Sequence, residues 1–180
     1  KLDQNTNNLE KELERTLELF KQLQYEFKLD QAINELKEQV AEQKSLLERT
    51  EALEKKPEEA QNKSHEKGGD KTEPEKGTES KNIENQELAG EQERLSEEFE
   101  KTSEKIEELK ELGEEINQEQ DLPSDEDVQD IQEQQRESEE MLKQNSPSKA
   151  KAPQKNALQK MQKMQQQMEG AEGSMSMEID

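Results

Sequence analysis

LAGEQERLSEEFEKTSEKIEELKELGEEI, residues 88–116, decides the fold. Leu88, Gln92, Leu95, Phe99, Thr102, Ile106, Leu109, Gly113 and Ile116 step alternately by four and three residues. On a helix that spacing draws one narrow stripe, the pattern of a coiled-coil seam. The polar seam members Gln92 and Thr102 would specify register at some cost in stability. Gly113 weakens the helix by ~1 kcal/mol relative to Ala. The spacing predicts a heptad helix over residues 82–120.

Upstream, residues 1–54 read as one long amphipathic helix. Leu9, Leu13, Thr16, Phe20, Leu23 and Phe27 keep the same spacing. The phase then slips and resumes as Leu29, Ile33, Leu36, Val40, Gln43 and Leu47. The interior holds no Gly or Pro, and strong helix formers fill it. Leu23, Tyr25, Phe27 and Leu29 also alternate at period two, as in a strand, but the flanking period is helical. Between the two helices, residues 55–81 carry Pro57, Gly68, Gly69, Pro74 and Gly77 among Lys, Glu, Ser and Thr. They read as a disordered linker.

Downstream, Ser124 is a candidate N-cap, with Asp125, Glu126 and Asp127 at the positive end of the next helix. That acidic helix, residues 121–146, has a thin stripe of Val128, Ile131, Gln135, Ser138 and Leu142. Pro147 and Pro153 bound a basic linker over 147–153. Ala157, Met161, Met164 and Met168 mark one face of a short Met-rich helix over 154–169. Gly170 and Gly173 are expected to end it, and 170–180 to begin a further segment.

Of 180 residues, 41% are charged and 25% apolar, with a net charge of −21. So few core formers at such high charge argue against a globular core. Ala, Glu, Lys, Leu and Arg, however, make up half the chain, the composition of coiled coils. The expected fold class is therefore mostly α, with extended coiled-coil-like helices, disordered linkers and no globular core. Residues 82–146 carry 6 basic and 23 acidic side chains, and residues 147–168 carry 5 basic and no acidic ones. Attraction between these stretches, with Met161, Met164 and Met168 covering Val128, Ile131 and Leu142, would fold the last helix back antiparallel on the one before.

The residues offer no catalytic, cofactor-binding or metal-ligating set. There is no Cys, hence no thiolate chemistry and no disulfide. His65, the one histidine, lies in the linker without a positioned partner. Asp125, Asp127 and Asp130 lack the Gly and Glu spacing of a calcium loop. Gly68-Gly69 is not followed by the Lys-Ser or Lys-Thr of a phosphate loop. Met161, Met164 and Met168 fit an apolar helix face better than a copper site. The basic stretch has neither Arg nor aromatics, so it lacks base readers and stacking platforms for nucleic acid. No apolar run approaches the ~20 residues that cross a bilayer, so no direct membrane insertion by this chain is expected. The expected partners are other helices, within the chain, in a second copy or in another protein. They would meet an interaction seam of Leu9, Leu13, Phe20, Leu23, Phe27, Leu88, Leu95, Phe99, Ile106, Leu109 and Ile116.

Three runs carry a resemblance: Glu14 to Leu23 (ERTLELFKQL), Leu29 to Ile33 (LDQAI) and Gln154 to Met161 (QKNALQKM). In that order the chain resembles a family of large uncharacterised Bacteroidota proteins. The resemblance implies a membrane-anchored parent with a long charged coiled-coil region, and some members carry an ATPase label. It implies no site residue, and no residue here supports ATP hydrolysis. The chain starts at Lys1 rather than Met and reads as a piece of a longer protein. The expected function is a non-catalytic helical interaction or spacer segment. The rivals are a fragment of an ATPase whose nucleotide site lies elsewhere, and an acidic disordered segment that folds on binding.

Overall fold

The computed structural model describes residues 2–55, 76–118 and 121–178. It is mostly α: four helices and no strand occur among the described residues. They are α1 (Leu2–Lys55), α2 (Lys76–Glu115), α3 (Asp125–Lys143) and α4 (Pro147–Glu178). Leu23 to Leu29 is helical, not a strand. The linker expected over 55–81 lies largely outside the described residues, although Lys55 closes α1 and α2 already begins at Lys76.

The helices pack in a ring, α1 on α2, α2 on α3, α3 on α4 and α4 on α1. Cross-helix pairs fix every neighbour as antiparallel. Lys21 meets Glu115 and Arg94 meets Glu42 between α1 and α2. Lys110 meets Asp125, and Lys143 meets Glu93, between α2 and α3. Lys160 meets Asp130 between α3 and α4, and Lys37 meets Glu169 between α1 and α4. The short connection from Lys143 to Pro147 makes α3 and α4 antiparallel neighbours. The expected antiparallel fold-back of the Met-rich helix onto the acidic helix is thus present.

The expectation of helices without a common core is corrected. Each helix places a heptad stripe inside the ring, and together the four stripes bury what no single one can. On α2 the stripe is the one read from sequence: Leu88, Gln92, Leu95, Phe99, Thr102, Ile106 and Leu109 are buried, and Ile116 is half-buried. On α1 the buried stripe is Tyr25, Leu29, Ala32, Leu36, Gln39, Gln43, Leu46, Thr50 and Leu53. Val40 and Leu47, expected on it, flank it half-buried. On α3 the expected Ile131, Gln135, Ser138 and Leu142 face inward.

α4 departs most from the sequence reading. It begins at Pro147, so residues 147–153 are helix rather than linker, and it passes through Pro153, Gly170 and Gly173 to Glu178. Pro147 suits a first helical turn, where its missing N–H has no partner to lose. Pro153 forfeits one helical hydrogen bond, but Ala150, Gln154, Ala157, Met161, Met164, Met168 and Ala171 form a continuous buried seam across it. Tertiary burial outweighs the local breakers.

The ends of α2 and α3 share one device. Asn117 and Asn145 both sit at φ 54. The N–H of Gln118 then reaches Gly113 O at 2.9 Å, and that of Ser146 reaches Met141 O at 2.9 Å. Both are Schellman closures with Asn supplying the left-handed residue that Gly more often provides. α3 opens with a capping box: Asp127 N–H donates to Ser124 Oγ at 3.1 Å, and Ser124 N–H donates to Asp127 Oδ2. The Ser124 hydroxyl also donates to Asp127 at 2.6 Å, which holds that carboxyl below its usual pKa.

Candidate interaction surface and the buried glutamine layer

The core is two apolar clusters separated by a polar layer. One cluster centres on Tyr25, Leu29, Ile33, Phe99, Ile106 and Met161. The other centres on Leu46, Leu53, Leu88 and Leu142. Between them, one glutamine from each helix turns inward: Gln43, Gln92, Gln135 and Gln154, all with 0% exposure. Gln43 Nε2 donates to Gln92 Oε1 at 3.1 Å, and Gln92 Nε2 donates back to Gln43 Oε1 at 3.1 Å. Gln135 Nε2 reaches Gln43 Oε1 at 3.4 Å and Gln154 Nε2 reaches Gln92 Oε1 at 3.5 Å. One turn away, Gln39 Nε2 donates to Thr102 Oγ1 at 2.9 Å.

Buried amides are costly unless paired. Sliding one helix by a heptad would take its glutamine away from the other three, so the layer favours one register. The network is closed at Gln43 and Gln92, while Gln135 Oε1 and Gln154 Oε1 are buried without a hydrogen-bond partner. Sequence reading found Gln92, Gln43 and Gln135 as seam members, but not that they meet. Gln154 opens the Met-rich helix expected over 154–169, whose inward face is expected only from Ala157 onward.

The expected seam divides in two. Leu88, Leu95, Phe99, Ile106 and Leu109 are spent on the intramolecular core. Leu9, Leu13, Phe20, Leu23 and Phe27 are 63–72% exposed, and Leu17 and Leu19 are each 55% exposed. The cause is the phase slip. Tyr25 starts the stripe that enters the bundle, and at about 100° per residue Leu23 and Phe27 then point to the opposite side of α1. α1 also outruns its neighbours, since α2 ends with Glu115 beside Lys21. Every residue from Asn5 to Phe20 is exposed.

The other sequence candidates find structural partners. Asp125 pairs with Lys110 at 2.6 Å, Asp130 pairs with Lys160 at 2.6 Å, and Asp127 closes the capping box. Met161, Met164 and Met168 are buried in the core. His65 and Gly68-Gly69 lie outside the described residues. An open groove of about 590 Å³ runs between α1 and α2, with Glu38, Glu104 and Lys101 on its walls. Its other acids meet bases: Glu108 with Lys28, Glu35 with Lys105, and Glu42 and Glu98 with Arg94. The contact with Lys28 holds Glu108 below its usual pKa. Among the described residues no group of three or more His, Cys, Asp or Glu could hold a metal ion. None of the described helices is long and apolar enough to cross a membrane.

No family model, no curated protein and no solved structure matches the chain.

Proposed function

We propose that this chain is a non-catalytic helical interaction segment of a larger, membrane-anchored protein. The observation that carries the reading is the unpartnered stripe from Leu9 to Phe27 on a helix whose other end is anchored in a packed bundle. A monomer rarely leaves an apolar patch of this size to water, and such patches mark interaction sites. The bundle gives the stripe a rigid mount, because ordering the helix at its Tyr25 end lowers the entropy lost when the projecting end docks. The acidic exterior keeps the segment from indiscriminate association. The membrane-anchored parent rests on the family resemblance alone.

The test is a photo-crosslinking residue at Leu13 and, separately, at Phe20 of the protein in its own cells. A discrete crosslinked polypeptide at both positions, absent with the residue at exposed Glu97, supports the reading. No crosslink at either stripe position overturns it.

A further inference from the structure

We infer that the occupant of the exposed α1 stripe is a second copy of this chain, docked antiparallel from Leu9 to Phe27. The inference rests on the interaction reading above and names its partner.

Area is the first argument. Seven large apolar side chains, each more than half exposed, present on the order of 800 Å² of surface per copy, enough to supply what a specific interface of standard size buries on each partner. The stripe is also broad. With Leu9, Leu13, Thr16, Phe20, Leu23 and Phe27 on the seam, Leu17 and Leu19 fall on its two flanks, which widens the contact beyond a strict heptad seam.

Register is the second argument. About a two-fold axis beside Glu18, the stripe is complementary to its own reverse. Leu9 of one copy meets Phe27 of the other, Leu13 meets Leu23, and Thr16 meets Phe20. Leu17 then lies beside its own symmetry mate on one flank, and Leu19 does so on the other. Such an isologous contact closes after two copies. It leaves no apolar remainder.

Charge chooses the orientation. Residues 1–27 carry four basic and six acidic side chains, whereas the whole chain stands at −21. The repulsive charge therefore resides in the bundle. A parallel pair would set two acidic bundles side by side. The antiparallel pair points the two bundles away from each other, so that only their ends, at Lys21 of each copy, come within about 9 Å along the axis. A membrane surface fits less well: the polar face of this stretch holds Glu10, Glu14 and Glu18 beside Lys11 and Arg15, whereas membrane-surface helices are rich in Lys and Arg there.

The test uses the full chain. Its mass in solution, measured by light scattering across micromolar concentrations, should be that of a dimer. Leu13→Glu with Leu23→Glu should return a monomer, at least tenfold weaker in association, with unchanged helicity, since neither residue touches the bundle core. The chain has no Cys, so Glu10→Cys and Gln24→Cys chains can be mixed and joined with a short bismaleimide. Antiparallel docking gives the mixed crosslink in high yield. A monomer at all concentrations, or a dimer without that crosslink, overturns the inference. Binding of a monomeric chain to lipid vesicles of anionic composition would also overturn it. If the purified chain is monomeric while Leu13 crosslinks to a different polypeptide in cells, the inference falls and the interaction reading stands. If Leu13 and Phe20 crosslink to nothing, both fall.

Discussion

Gln43 and Gln92 exchange a reciprocal pair of amide hydrogen bonds, each 3.1 Å, at the middle of the four-helix core. Each side chain also accepts from a third or fourth helix, Gln43 from Gln135 and Gln92 from Gln154. Removing Gln92 strands two donors at once, Gln43 Nε2 and Gln154 Nε2. Gln92→Leu should therefore cost about 1–3 kcal/mol, the penalty of unpaired buried polar groups. Replacing Gln43, Gln92, Gln135 and Gln154 together by Leu should raise stability while loosening register. Urea denaturation and solution mass check the pair. The quadruple variant should unfold at higher urea than the wild-type chain and show mixed oligomeric states.

Gly113 makes room for the backbone that closes α2. A Cβ there would stand 3.2 Å from Gln118 O and 3.4 Å from Tyr25 Cε2. The first contact is with backbone that belongs to the Schellman closure of α2, which cannot easily give way. Gly113→Ala should thus lower the melting temperature, against the gain of ~1 kcal/mol expected for Ala over Gly in a helix. Gly170→Ala has nothing within 4 Å to meet and should raise it. Thermal unfolding of both variants separates steric from conformational control.

Tyr25 is fully buried, and its hydroxyl has no hydrogen-bond partner. Burial pushes its pKa up to about 12, against about 10 in an unfolded chain. Between these values the unfolded chain has lost its proton and the folded chain still holds it. Stability is therefore unaffected by this group below about pH 10 and falls as pH rises from 10 towards 12. It is the one tyrosine and there is no tryptophan, so tyrosinate absorbance reports it directly. Its midpoint should lie near 12 in the folded chain. Tyr25→Phe should remove the alkaline loss and leave neutral-pH stability equal or higher, because no hydrogen bond is given up.

The contact of α4 with α3 should survive salt. The charge balance of residues 82–146 and 147–168 points to a weak electrostatic docking. Exposed pairs such as Lys160 with Asp130 contribute only ~0.2–1 kcal/mol each. In the structure, though, Met161, Met164 and Met168 are buried with Ile131 in one cluster, and apolar burial is not screened. Fluorophores at Gln134 and Asn156, whose side chains meet at 3.1 Å, should stay close at low salt and at about 1 M. Separation at high salt would show that charge, not burial, holds the helices together.

The sequence by itself determined the helices' kind and most of their inward faces. The α2 seam from Leu88 to Leu109 and the α3 stripe from Ile131 to Leu142 are legible because heptad spacing is local. A helix displays its face wherever it forms. The exposed stripe of Leu9, Leu13, Phe20, Leu23 and Phe27 was legible as apolar for the same reason. Only the tertiary structure decided which stripe of α1 is covered. Tyr25 to Leu53 enters the bundle, and the stripe across the phase slip is left facing water. Likewise, residues 147–153 are helical because Ala150 and Gln154 gain partners on α1 to α3, a gain larger than what Pro153 forfeits. That the four glutamines meet in one layer depends on the relative heights of four helices. No residue carries that information alone, and it is fixed by the cost of burying an amide anywhere else.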